Sequence, residues 1–394
     1  MSKQSSNRGP KFELLAGAYF QRDGYLVRTS IPFRLDPSAI PISDVDLLAF
    51  RFAPSFALQK AVCDCKYRVR SRPFERVLWI KGLATFLRAT SASVALPKPN
   101  LDATRFAKIG GVRVLSEDLL NSAAAKGYGL MNPQSYSEIQ KSLARVLRTD
   151  KNAARLLNYA RFLFLSDDPF VALNDAINNL IEAATYLSST SESDKSQFAS
   201  WRYIAAEYVV VLTLQILLIV SETAALQPAD RSQHIKQRLT FGNLSPNKAR
   251  EIFEIATELA LQTSRDRRKT MTGGLNEGLD AAIEPPQYAD SIVGLVERAV
   301  ATPDLYCELP QIIDFLLFDQ SLPTQGFNED DFACRFGRDK LQERLKIARN
   351  IFSFVRDATK LNLKFFWPSS ANNLPSHGIS GPGPQNSTPE LGLR

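Results

Sequence analysis

Phe12, Leu14, Leu15, Ala18 and Tyr19 recur at helical spacing from Lys11 onward, and Gly24 stops the pattern. Tyr25–Ile31 then alternates apolar and polar positions and is rich in β-branched residues, which predicts a strand. Asp36-Pro37 and Pro41 mark a loop, and further strands are predicted over Ile42–Phe52 and Leu58–Val69. Pro73 opens a helix running to Ala89, with Val77, Leu78, Ile80, Leu83, Ala84 and Leu87 as its apolar positions. Phe74, Trp79 and Phe86 are expected in the core with them. A strand over Ser93–Leu96, a helix over Leu101–Ile109 closed by Gly110-Gly111, a strand over Val112–Leu115 and a short helix capped by Ser116 complete the series. This order predicts an α/β core, a central mixed sheet flanked by helices, over residues 11–130.

The strand pattern stops there. Amphipathic helices are predicted over 136–149, 152–166, 170–188, 197–226, 246–264, 288–301, 310–318 and 338–362, so residues 131–367 are expected to form a mostly α-helical domain. The run Tyr208–Val220 is almost uninterrupted in its apolarity, but Gln215 lies inside it, Glu207 and Glu222 flank it, and basic anchors are missing. It is read as a buried central helix and not as a membrane span. Residues 1–10 are polar, and residues 368–394 are rich in Pro, Gly, Ser and Asn; both are expected to be disordered.

Charge separates the two halves. Residues 1–120 carry 19 Lys and Arg against 10 Asp and Glu, whereas the remainder carries 29 against 31. A basic excess confined to one segment points to a polyanionic partner, nucleic acid foremost. Two histidines, His234 and His377, are too few for a His-rich metal centre, and no GxxxxGK[ST], GxGxxG or HExxH is present. The four cysteines lack zinc-pair spacing and read as free thiols of a reducing cytoplasm.

What remains is a set of acidic residues on the predicted sheet. Side chains alternate along a strand, so Asp44 and Asp46 share one face of the second strand, and Asp64 and Lys66 share one face of the third. Paired as a meander, the strands bring Asp46 and Asp64 together with Lys66 beside them. Two carboxylates and the Cys65 carbonyl are hard oxygen donors suited to Mg²⁺, which activates phosphodiesters for hydrolysis without a histidine. Asp64-Cys65-Lys66 is the sole Asp/Glu-x-Lys triplet in the chain. Arg68, Arg70, Arg72 and Arg76 follow it as a basic run fit for phosphate contacts.

These pieces resemble the PD-(D/E)XK nuclease superfamily, in particular its branch of restriction endonucleases and Holliday-junction resolvases. The likeness spans residues 11–125 and rests on Asp44-Val45-Asp46-Leu47-Leu48, Val62-Cys63-Asp64-Cys65-Lys66, the helix from Phe74 to Ala89 and the strand Gly111–Leu115. It implies a restriction-endonuclease-like fold with Asp46 and Asp64 as metal ligands, Lys66 as the catalytic lysine and Glu13 as an accessory acid from the first helix. The activity implied is Mg²⁺-dependent endonucleolytic cleavage of DNA, with Mn²⁺ as a substitute metal and RNA left open as a substrate. Duplex cleavage further suggests a homodimer. The alternative reading is a catalytically inactive nuclease fold that serves as a nucleic-acid-binding or interaction scaffold.

Overall fold

The computed structural model describes residues 8–34, 39–67, 72–124, 143–244, 284–322 and 327–366, together with 141, 248–249, 251–252 and 255–256. The predicted disordered tail 368–394 and most of the predicted helix 246–264 lie outside these residues. So do Arg68 and Arg70. Helix α1 (Arg8–Arg22) starts inside the segment expected to be disordered. It ends at Gly24, whose φ of 79° is reached without strain only by a residue lacking a Cβ.

Strands β1 (Leu26–Phe33), β2 (Ser43–Phe52) and β3 (Leu58–Cys65) form an antiparallel meander. Helix α2 (Pro73–Phe86) leads to β4 (Ser91–Leu96), and α3 (Leu101–Ile109) leads to β5 (Val112–Ser116); β4 and β5 run parallel to β3. The five strands stand in sequence order, β1-β2-β3-β4-β5. β4 is buried at every position after Ser91, as a parallel strand covered on both faces must be. Asn100 caps α3 by accepting the Ala103 amide at 2.7 Å. Helix α4 (Glu117–Ala124) begins with the acidic pair Glu117 and Asp118, favourable at a helix N-terminus.

The sheet is covered on both sides. Phe12, Ala16 and Phe20 of α1 and Leu120 of α4 pack with Leu47, Ala49, Ala61 and Cys63 on one face. Val77, Ile80 and Leu83 of α2 and Ala107 of α3 pack with Leu48, Val62 and Val94 on the other. This second core continues without a break into the helical part: the Phe50 ring lies 6.2 Å from that of Phe164.

The helical part comprises α5 (Lys151–Leu163), α6 (Pro169–Ser189), α7 (Lys195–Thr223), α8 (Pro228–Phe241), α9 (Ala289–Ala301), α10 (Pro303–Tyr306), α11 (Leu309–Asp314), α12 (Glu329–Phe336) and α13 (Leu341–Thr359). Helix α7 is the one described helix long and apolar enough to cross a membrane, and 89% of its apolar window is buried inside the protein. It touches α5, α6, α9 and α11. Its polar groups find partners there: Gln215 Nε2 donates to the Leu163 carbonyl at 3.1 Å, and Tyr208 donates to the Leu156 carbonyl at 2.6 Å.

Four local expectations differ from the structure. β3 ends at Cys65 instead of Val69, although the Lys66 amide still bonds the Ala95 carbonyl at 3.2 Å. Helices α8 and α12 are absent from the predicted set; α8 buries only Arg231, Ile235 and Leu239, too thin a stripe to stand out. The segment predicted as a helix over 310–318 is α11 followed by a π-helical stretch, Phe315–Ser321. Leu78, Phe74, Trp79 and Phe86 of α2, expected in the core, are exposed.

Candidate active site

The register of the meander sets a row of polar residues across three strands. Thr29 pairs with Leu47 and Ile31 with Val45, which leaves Ser30 across from Asp46. Leu47 pairs with Cys63, which puts Asp64 one rung further on, beside Asp46. The row lies at the carboxyl end of the parallel strands, where open α/β sheets hold their ligands. Apolar Leu47, Leu48, Val62 and Cys63 are each fully buried, so they fix the strand faces and leave the row of polar groups at the margin.

Asp46, Asp64 and Lys66 are brought together as the alternation predicts. Asp46 Oδ2 accepts the Cys65 amide at 2.8 Å and Lys66 Nζ at 3.0 Å. Lys66 Nζ also lies 3.8 Å from Asp64 Oδ1. The Asp64 side chain is 5% exposed and that of Lys66 30%, so the acid is sunk and the ammonium reaches solvent. Asp64 Oδ2 is buried and has no hydrogen-bond partner. Burial first, and then the Asp46 carboxylate, push the Asp64 carboxyl up to about 6, against the pull of Lys66 and Arg76.

Glu13 stands nearby on α1, but its carboxylate is engaged by Ser30, whose hydroxyl donates to Glu13 Oε2 at 3.3 Å. Burial and the field of Asp46 raise the Glu13 carboxyl, while Ser30 and Lys66 lower it. Among the described residues no three His, Cys, Asp or Glu side chains are gathered closely enough to hold a metal ion as they stand. The compact acidic group is therefore a pair, Asp46 and Asp64. The pair fits a hard divalent cation in one respect: the buried Asp64 oxygen lacks any donor, and a cation would satisfy it.

The basic run divides. Arg76, on α2, has its Nη1 3.4 Å from Asp64 Oδ1, so it belongs to the carboxylate cluster. Arg72 turns away and pairs with Glu75 at 2.9 Å on the exposed start of the same helix. Cys63 and Cys65 pack under α1 and α4. Contact with the Cys63 sulfur at 3.9 Å, then burial, hold the Cys65 thiol well above its usual range. Both cysteines are packing groups, and only the Cys65 backbone reaches the site.

Ser30 is the residue that sequence reasoning missed. Its φ of 53° is left-handed, rare for a non-glycine residue in a strand. Nothing in the local sequence marks it; only the register, which sets it across from Asp46, reveals its place. No family model matches this chain, and no curated protein or solved structure matches it.

Proposed function

We propose that the chain is a divalent-cation-dependent nuclease of the PD-(D/E)XK kind that hydrolyses DNA phosphodiester bonds. The observation that carries the reading is the buried, unpartnered Asp64 oxygen beside Asp46 and Lys66 at the carboxyl end of the sheet. Asp46 and Asp64, with the Cys65 carbonyl, would hold the cation. Mg²⁺, or Mn²⁺ in its place, supplies Lewis acidity to the phosphodiester and lowers the pKa of a water molecule.

The chain's own groups do the rest. The Cys65 amide and the Lys66 ammonium fix the Asp46 carboxylate in one orientation. Lys66, partly open to solvent, offsets charge that develops on the phosphoryl oxygens and orients the attacking water. Arg76 is poised to exchange Asp64 for a phosphate oxygen when the nucleic acid arrives. The basic excess of residues 1–120 draws the polyanion to this end of the molecule.

The test is cleavage of supercoiled plasmid with Mg²⁺, with Mn²⁺ and with EDTA, beside Asp64→Ala and Lys66→Ala; a labelled RNA of equal length runs in parallel. Metal-dependent nicking lost in both variants supports the nuclease. The scaffold reading draws on the absence, among the described residues, of a third gathered ligand and on the cations already paired with both aspartates. Calorimetric titration with Mn²⁺ separates the two: a scaffold takes up no metal that Asp64→Ala abolishes.

A further inference from the structure

The exposed side of α2 carries an apolar stripe that nothing among the described residues covers. Leu78 is 63%, Trp79 43% and Phe86 80% exposed. At 100° per residue, Glu75, Leu78, Trp79, Thr85 and Phe86 fall within about 60° of Gly82, and each of them is exposed. With Phe74, partly exposed beside Phe106, the stripe offers roughly 450 Å² of apolar area, the size of the largest patch on a typical monomer.

The stripe is symmetric about Gly82. Leu78 and Phe86 each stand four residues from it, and Trp79 and Thr85 three. Gly82 itself faces open space, with no atom within 4 Å of where a Cβ would stand. A glycine at the centre of an exposed helix face costs helix stability, and it permits a second backbone to approach closely. Of the two cations in this span, Arg76 turns to Asp64, and Lys81 is carried out of the stripe, its ammonium lying beside Gly111 past the end of α3.

We propose that α2 is the homodimer interface of this protein, two copies crossing antiparallel about a twofold axis near Gly82. That arrangement sets Leu78 of each copy against Phe86 of the other and Trp79 against Thr85. An isologous contact must be self-complementary in this way, whereas an unrelated partner imposes no symmetry on the stripe. The doubled apolar area is roughly 900 Å², the core of an interface of ordinary total size. Arg76, one residue from Glu75, contacts Asp64, so the interface would stand beside the carboxylate cluster of each copy. This inference does not rest on the nuclease reading, since its readout is mass and not cleavage.

The experiment is sedimentation equilibrium of the full chain at about 10 µM. Wild type is expected at twice the mass of one chain, and Phe86→Asp and Leu78→Asp at one, with unchanged far-ultraviolet circular dichroism, since both sites are exposed. Gly82→Cys, in a background where exposed Cys334 is Ser, is expected to give a disulfide-linked dimer under mild oxidation that the background alone does not. A monomeric wild type would overturn the proposal and leave the stripe to another segment of the chain or to a different protein. A dimer that survives both aspartates, or fails to cross-link through position 82, would overturn it as well. A dimer without cleavage activity would sink the nuclease and leave this inference standing.

Discussion

Two of the charge clusters among the described residues, one around Arg28 and one around Lys66, are built on opposite terms. In the first, Arg28 of β1 is enclosed between sheet and helices, its guanidinium 2.8 Å from Glu207 of α7 and 2.8 Å from Asp314 of α11. The Phe164 and Phe318 rings flank it with centroids at 5.1 and 5.2 Å. Burial alone would lower the Arg28 pKa, but Asp314 and Glu207 outweigh it and raise it, so the cation is locked on. In the second, Asp46 and Asp64 meet two cations, Lys66 and Arg76, yet Asp64 keeps an oxygen with no hydrogen-bond partner and Lys66 remains partly in solvent. Charges in both clusters have opposite charges in contact. In the first, Arg28 Nη2 and Asp314 Oδ1 make no other hydrogen bond but face each other at 2.8 Å, whereas Asp64 Oδ2 in the second has no donor. The first joins two parts of the fold, and the second is poised to receive something.

If that contrast is right, the largest expected effect of any single substitution falls at the open cluster and on activity. Asp46→Ala or Asp64→Ala should reduce plasmid nicking by about 10³-fold or more, because the hard oxygen donors and the charge-stabilising arrangement are lost together. Melting temperature should hold in Asp64→Ala and fall only modestly in Asp46→Ala, which strands the Cys65 amide. A collapse of both stability and activity would mean that the Asp46–Asp64 pair is as structural as the Arg28 cluster.

The closed cluster should show the reverse. Arg28→Met leaves Glu207 and Asp314 buried without their cation, which for a broken buried pair costs about 3–5 kcal/mol. Burial already pushes the Asp314 carboxyl up against the opposing field of Arg28, so losing Arg28 drives it further toward the neutral form. Urea denaturation at neutral pH reads the loss, and lowering the pH should recover part of it as the stranded acids protonate. Stability equal to wild type would refute the structural role.

The two clusters also differed in how far the sequence announced them. Asp46, Asp64 and Lys66 could be placed together because strand alternation and a short meander are local rules, and the register then obeyed them. Arg28, Glu207 and Asp314 could not, since 179 residues separate Arg28 from Glu207 and no periodicity encodes that contact. The same limit explains Ser30 and the exposed stripe of α2. Phe74, Trp79 and Phe86 look like core by composition, and only the position of the sheet shows which side of the helix faces inward. The helical part was legible as helices by period, but α8, with three buried residues of which one is Arg231, carries too little apolar signal to register.

The open cluster should also betray its cost through pH. The Asp64 carboxyl is raised from 3.8 to about 6, so between those values the folded protein holds a proton that the unfolded chain has released. Stability therefore falls as pH rises from about 4 to 6, and the full penalty, up to about 3 kcal/mol, is present above that window. Asp64→Asn does not titrate. It should melt higher than wild type at pH 8, and the difference should shrink and vanish below about pH 4. Saturating Mn²⁺ should raise the wild-type melting temperature at pH 8 and leave Asp64→Asn unmoved. A stabilised yet inactive Asp64→Asn would mark the carboxylate as kept for chemistry at the expense of stability.

The smallest effect expected is at Ser30, and it tests whether the row of polar groups across β1, β2 and β3 acts as a unit. The left-handed φ of 53° strains any residue with a Cβ by about 1 kcal/mol, so Ser30→Gly should be more stable than Ser30→Ala by that order. Both variants remove the hydroxyl that donates to Glu13 Oε2. That donor lowers the Glu13 carboxyl, so in its absence the carboxyl moves up and remains protonated to higher pH. If Glu13 serves the open cluster, the acid limb of the pH–rate profile should shift upward equally in Ser30→Ala and Ser30→Gly, although only Ser30→Gly relieves the backbone strain. A shift that follows stability instead of the hydroxyl would confine Ser30 and Glu13 to holding α1 against β1, and would reduce the site to Asp46, Asp64, Lys66 and Arg76.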